Sequence, residues 1–183
     1  RTGGSVTLAK SVNAELLDLN MKGVTFDISV VDLKELTATG SSDVEFLTQS
    51  SPKDPKRSLA KVASGGELSR ILLSLKRVVG AQQHPRTYLF DEVDTGVSGP
   101  TAEKVGKKLK AIAKGQQVIC VTHLPQVAAC GDVHFFLQKS PQKGSVAMEI
   151  SELKKSDRIH EIARLISGET ISKTSLAHAE QLL

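Results

Sequence analysis

The feature that most limits what this chain can fold into is a short apolar run ending on two adjacent carboxylates: Tyr88-Leu89-Phe90, then Asp91-Glu92. Residues 86–91 read as a buried strand. Placing two ionisable groups at the end of such a strand costs several kcal/mol unless a cation or a proton resolves it, so the pair suggests a metal ion and a base. A second run, Gln117-Val118-Ile119-Cys120-Val121-Thr122, is continuously apolar, as expected of a parallel strand covered on both faces. His123 falls at its carboxyl end, where α/β sheets place ligands. Between the two runs a helix begins at Pro100, with Ala102, Val105, Leu109 and Ile112 inward and Lys104, Lys107, Lys108 and Lys110 outward. Strand, helix and strand in succession predict an α/β core with a mostly parallel sheet flanked by helices.

Upstream, Ser64-Gly65-Gly66 opens a second helical pattern in which Leu68, Ile71, Leu72, Leu75, Val78 and Val79 form one apolar stripe. A serine and two glycines at a helix start leave backbone N–H groups and the positive end of the helix dipole open to an anion. An anion site and a metal-and-base pair together suggest nucleotide hydrolysis.

The flanks are plainer. Residues 1–5 read as a polar tail. Leu8, Val12, Leu16 and Leu19 then mark a helix that is too short to prove a coiled coil, though it fits the end of one. Residues 24–33 and 44–47 read as strands, with a turn at 37–43 and a Pro-bearing loop at 50–57. Downstream, a short helix at 124–129 precedes a hairpin of residues 133–139 and 146–153 turning at 141–144. Ile159, Ile162, Ala163 and Ile166 mark a helix ended by Gly168, and residues 172–183 mark another.

Composition narrows the function classes. At 183 residues, with 39% hydrophobic and 24% charged, the chain is long enough for a core and unlike a disordered one. Lys and Arg total 24 against 20 acidic residues, an excess compatible with a nucleic acid or nucleotide partner and equally with a solvated surface. Only 3% of residues are aromatic, which argues against a base-stacking platform for single strands. Cys120 and Cys130 fit no zinc spacing and read as reduced packing residues of a cytoplasmic protein. No apolar run approaches the length of a membrane span. Because the chain opens on Arg1, it reads as a piece of something longer.

The motifs have company. Ala63-Ser64-Gly65-Gly66-Glu67-Leu68-Ser69-Arg70 resembles the signature motif of ABC-type ATPases, and Tyr88-Leu89-Phe90-Asp91-Glu92 resembles their Walker B strand. Val93-Asp94-Thr95-Gly96-Val97 resembles the D-loop, and Val121-Thr122-His123 the switch-histidine loop. The wording from Phe90 to Gly99, with Thr122-His123-Leu124-Pro125-Gln126-Val127-Ala128, is similar to the RecN family of bacterial SMC-like DNA repair ATPases. The similarity runs from about residue 24 to the carboxyl terminus and matches the carboxyl-terminal half of that family's head. Residues 1–22 then stand as a tail and the end of a coiled-coil-like helix, and 23–183 as head.

The resemblance implies a P-loop NTPase fold, with ATP and Mg²⁺ as ligands. Asp91 would help hold the metal, and Glu92 would polarise the attacking water. His123 would contact the γ-phosphate. Ser64, Gly65, Gly66 and Glu67 would face the ATP held by a partner head, with Asp94 at the dimer seam. His84, His134, His160 and His178 are left as ordinary residues. No G-x-x-x-x-G-K-[ST] loop occurs in the chain, so an amino-terminal half of the head would have to complete the site and the chain alone should be inactive. Implied partners are that half, a second head and DNA in double-strand-break repair, with no membrane and a nucleoid-associated cytoplasmic location. A transporter ATPase fragment and a non-catalytic dimerisation or DNA-binding module stay open as alternatives.

Overall fold

The first helix is set by its apolar stripe. In the computed structural model, which describes residues 1–62, 64–80, 84–142 and 145–183 and, outside 140–146, their side chains, α1 spans Thr2–Asp18. Val12, Leu16 and Leu19 are buried, at roughly 1.5–3 kcal/mol each for side chains of this size. The expected tail at residues 1–5 is instead the first turn of α1. The Arg1 guanidinium donates to Ser42 O at 2.5 Å and to Thr39 O, tying the helix start to a turn far along the chain.

Two compact units follow, Arg1–Val121 and Thr122–Leu183. In the first, β1 (Thr25–Thr37) and β2 (Gly40–Gln49) pair antiparallel from Thr25↔Gln49 to Asp32↔Ser42. The strands run longer than the alternation alone indicates, so the turn read at 37–43 shrinks to Ala38-Thr39, closed by Thr37 Oγ1 donating to Gly40 O at 2.7 Å. Ser41, Ser42 and Asp43, turn-formers in isolation, are drawn into the ladder by their partners on β1. A two-residue strand β3 (Arg57–Ser58) pairs with β2 inside what reads as loop. Asn13 of α1 brackets Phe26 as a strand would, its amide donating to Phe26 O and accepting from Phe26 N–H, both at 2.8 Å. Phe26 is buried beside Phe46, ring centroids 5.5 Å apart.

Helix α2 (Gly65–Val79) lies between α1 and α3 (Gly99–Ile112). Touching two helices moves its buried sector off the predicted stripe: Ile71, Leu73, Ser74 and Leu75 are buried, while Leu72 and Val79 are exposed. On α3, Ala102, Val105, Leu109 and Ile112 are buried as the spacing predicts. Lys108 is not outward, however. It is buried and donates to Glu15 at 2.5 Å and Asp18 at 2.7 Å, while Lys104 reaches Asp18 at 2.8 Å, so the lysine face clamps α3 to α1. These bonds, Lys104 first, hold the Asp18 carboxyl below its ordinary range.

Strands β4 (Thr87–Phe90) and β5 (Gln117–Cys120) form the parallel pair, in register from Thr87↔Gln117 to Phe90↔Cys120. Phe90 is buried and Lys76 of α2 stands 5.1 Å from the Tyr88 ring centre. On the opposite pleat face Leu89 is 69% exposed, Ile119 47% and Val121 57%. The expectation of strands buried on both faces therefore fails here, because a two-stranded sheet with one helical layer buries only one set of alternate residues.

The second unit is a small helical cluster with a hairpin. It holds α4 (Pro125–Ala129), β6 (Phe135–Gln142), β7 (Ser145–Glu152), α5 (Lys155–Ser167) and α6 (Lys173–Leu182). The hairpin pairs antiparallel from Phe135↔Glu152 to Gln142↔Ser145. Pro141 and Gln142, read as turn, lie in β6, and Lys143 and Gly144 fall outside the described residues. Ile162 and Ala163 of α5 and Ala179 of α6 are fully buried, with Ala128 and Ala129 of α4 packed on them. Gly168 ends α5 at φ 79°, a conformation that a side chain would strain. Together the units make a mixed α/β architecture, with one parallel pair and antiparallel ribbons before and after it.

Candidate functional site

The site grows from the start of α2. Ser64 caps this helix, its Oγ accepting the Glu67 N–H at 3.3 Å. Glu67 does not reach back to the cap. Its carboxylate accepts from Ser50 Oγ at 2.8 Å. Gly65 and Gly66 N–H groups make no bond to another described residue. Both glycines lie close under the Glu92 turn, Gly66 against its backbone and Gly65 against its side chain. A Cβ on Gly65 would collide with the Glu92 carboxylate, and one on Gly66 would sit 3.0 Å from Thr95 Cβ and 3.1 Å from Glu92 O.

Asp91 to Asp94 make the opposing wall. Asp91 Oδ1 accepts the Glu92 N–H at 2.9 Å, turning the backbone at once, and Glu92 adopts φ 56°. A non-glycine residue in that left-handed region stores about 1 kcal/mol or more, and the fold supplies it to aim the Glu92 side chain at the helix start. There the carboxylate meets the positive end of the α2 dipole. Thr95 N–H donates to Glu92 O at 3.0 Å, completing the turn. Asp94 is only 2% exposed, and Cys120 beside it is pushed up to about 12, by burial first and then by Asp94 and Asp91.

Two residues of the quoted motif that were given no role, Ser69 and Arg70, hold this wall. Ser69 Oγ donates to Asp91 O at 2.7 Å. Arg70 donates to Thr95 O at 2.6 Å and Val93 O at 3.4 Å, bolting α2 to the turn. Burial lowers the Arg70 guanidinium while Glu67 and Asp94 pull it back up, and it stays a cation. Nothing in the local spacing marks the partners of Ser69 and Arg70, which lie more than twenty residues away. A cavity of about 290 Å³ adjoins the junction, lined by Ser64, Glu67, Arg70, Gly96, Val97 and Ser98 among others. A second, of about 220 Å³, lies on the other side of Ser64 and Glu67, with Arg57 and Lys61 in its lining.

The structure thus brings together Ser64, Gly65, Gly66, Glu67, Asp91, Glu92 and Asp94 within the first unit; Ala63 lies outside the described residues. His123 belongs to the second unit, exposed in the loop that precedes α4, where Thr122 Oγ1 accepts the Leu124 N–H at 3.1 Å across it. Among the described residues no three His, Cys, Asp or Glu side chains cluster to hold a metal, and no helix is long and apolar enough to cross a membrane. Chemically, the junction can hold an anion on backbone N–H groups, with a carboxylate poised beside it.

No protein-family model matches the chain. It is 39% identical to the DNA repair protein RecN of Halalkalibacterium halodurans, over 98% of this chain and 32% of that protein. It is 40% identical to the DNA repair protein RecN of Vibrio cholerae, over 96% of this chain and 32% of that one. The chain spans about a third of the length of these relatives. The Smc head domain with a coiled coil and joint from Pyrococcus yayanosii superposes with a TM-score of 0.56 at 19% identity, covering 89% of this chain and 29% of that one. Over nearly its whole length, then, the chain is similar to one third of the RecN DNA repair proteins, and it has the fold of part of an SMC head.

Proposed function

We propose that this chain is the carboxyl-terminal part of an SMC-like ATPase head that, completed by a Walker A-bearing segment, binds and hydrolyses ATP when two heads meet. The observation that carries the reading is the Glu92 carboxylate, set on left-handed backbone at the end of β4 and aimed at the open start of α2. Glu92 takes the proton of the attacking water, and His123 orients the water and the γ-phosphate. Ser64, Gly65, Gly66 and Glu67 receive the phosphate of the ATP held by the partner head, and Asp94 lies at the seam. Because the Glu92 carboxylate lies over Gly65 in the same chain, an anion arriving at the helix start would repel it, linking head engagement to a move of the base.

Asp91 suits a Mg²⁺ ion. It is exposed, one oxygen is committed to the Glu92 N–H, and the other is left for a cation that takes its remaining ligands from water and phosphate. Mg²⁺ in that place would neutralise charge on the phosphates. Residues 1–22 are then the root of a coiled coil and 23–183 the head.

The similarity to DNA repair proteins favours double-strand-break repair and recombination in the bacterial cytoplasm, with DNA as partner, over membrane transport. The bare Leu89, Ile119 and Val121 face is where the completing half of the head would pack. In the full-length protein, Glu92→Gln should cut ATP turnover by about 100-fold or more. It should also accumulate an ATP-bound dimer on size exclusion. Turnover at the wild-type rate would remove Glu92 from this role. The 183-residue chain by itself should show no Glu92-dependent turnover.

A further inference from the structure

The second unit holds an arginine that serves the His123 loop without being near its sequence. Helix α4 is only Pro125–Ala129, too short to satisfy its own carbonyls. Its end is closed from outside: Arg158, in the first turns of α5, donates through Nη2 to Gly131 O at 2.6 Å, Ala129 O at 2.9 Å and Ala128 O at 3.3 Å. Arg158 is the fourth residue of α5, near the end where the helix dipole disfavours a cation, and the three carbonyls offset that. Its Nε is buried and has no partner among the described residues, a desolvation that only the carbonyl contacts offset.

At its other end α4 is continuous with the His123 loop. Thr122 Oγ1 accepts Leu124 N–H across His123, and Leu124 O accepts from Val127 N at 3.1 Å and Ala128 N at 3.0 Å. Ala128 therefore takes part at both ends: its N–H anchors the loop residue Leu124, and its carbonyl is held by Arg158. Four residues, about one turn of helix, separate Ala128, the nearest of the guanidinium contacts, from His123.

We infer that Arg158 is a positioning residue for His123, holding α4 so that the imidazole is presented in one place. The inference rests on the role proposed above for His123. The experiment is steady-state ATP turnover by the full-length protein carrying Arg158→Ala, Arg158→Lys, His123→Ala, and Arg158→Ala with His123→Ala. A displacement of about 1 Å at a catalytic group costs up to about 100-fold, so Arg158→Ala should lower kcat by about tenfold or more, with KM for ATP changed by less than about twofold. Lysine, which also donates to carbonyls, should restore part of the loss. The double variant should be no slower than His123→Ala alone, because each removes the same contribution. If Arg158→Ala proves unfolded by circular dichroism, Arg158→Lys and its double variant with His123→Ala carry the same comparison. A slow His123→Ala beside an Arg158 variant of normal kcat, or losses that multiply in the double variant, would overturn the inference. Normal turnover by His123→Ala would instead overturn the role of His123 itself.

Discussion

Among the described residues two helices are capped by a serine side chain, α2 and α6, and they begin differently. At α6, Ser172 Oγ accepts the Ser175 N–H at 3.0 Å and Ser175 Oγ accepts the Ser172 N–H at 2.9 Å, a closed reciprocal cap with Ser175 buried. At α2 the sequence offers an even better capping box, Ser64 with Glu67 three residues on. The structure declines it. Ser64 makes one long bond, Glu67 turns to Ser50, and the carboxylate at the helix start comes from Glu92 instead. One end is sealed by its own cap, and the other is left, among the described residues, with free N–H groups under the Glu92 carboxylate.

The comparison can be broken most sharply at Gly65. Gly65→Ala favours the helix, by up to about 1 kcal/mol, yet its methyl would occupy the space of the Glu92 carboxylate. Turnover by the full-length protein should fall by about 100-fold, because the methyl also crowds the N–H groups proposed to receive the partner's phosphate, with no loss of thermal stability. Normal turnover would show that the Gly65 contact has no functional weight.

The two serines should then exchange readouts. Ser172→Ala should cost about 1 kcal/mol, seen as a lower Tm, and leave turnover unchanged. Ser64→Ala, losing a single 3.3 Å bond, should cost a few tenths of that yet lower turnover by about tenfold. Equal stability losses, with turnover untouched in both, would mean that the α2 start is a structural cap like the other.

The smallest effect concerns the wall behind the open end. Cys120, pushed up to about 12, ionises far above neutral pH, so at pH 8 its thiolate should be roughly a thousandfold rarer than that of an ordinary cysteine. Alkylation of the native protein at Cys120 should be correspondingly slow and should climb with pH through the whole alkaline range. Asp94→Asn should speed it modestly, since Asp94 contributes to the shift after burial. Rapid labelling at pH 8 would show the wall to be open to solvent.

Much of this molecule was legible in its sequence. The stripe on α3, the end of α5 at Gly168, the start of α6 at Ser172 and the pairing of the second hairpin followed from local spacing, because each depends on residues within a turn or a strand pair. What was misjudged had distant causes. Arg1 looked like a tail because its partners, Ser42 and Thr39, lie some forty residues away. Lys108 looked solvated because Glu15 and Asp18 are on another helix. Leu72 and Val79 looked buried because a stripe does not reveal that α2 has two neighbours.

The same division runs through the feature that first constrained the chain. Local order alone specified that a strand would end on Asp91-Glu92, that a helix would open on Ser64-Gly65-Gly66, and that a parallel partner would lead to His123. These are matters of period, glycine and charge over a few residues. Which way Glu92 points, what Glu67 binds, why Ser69 and Arg70 follow the glycines, and what holds α4 below His123 were settled only by packing. Each depends on a group brought in from seventeen or more residues away, and a burial or hydrogen bond of that kind has no trace in the spacing of one segment.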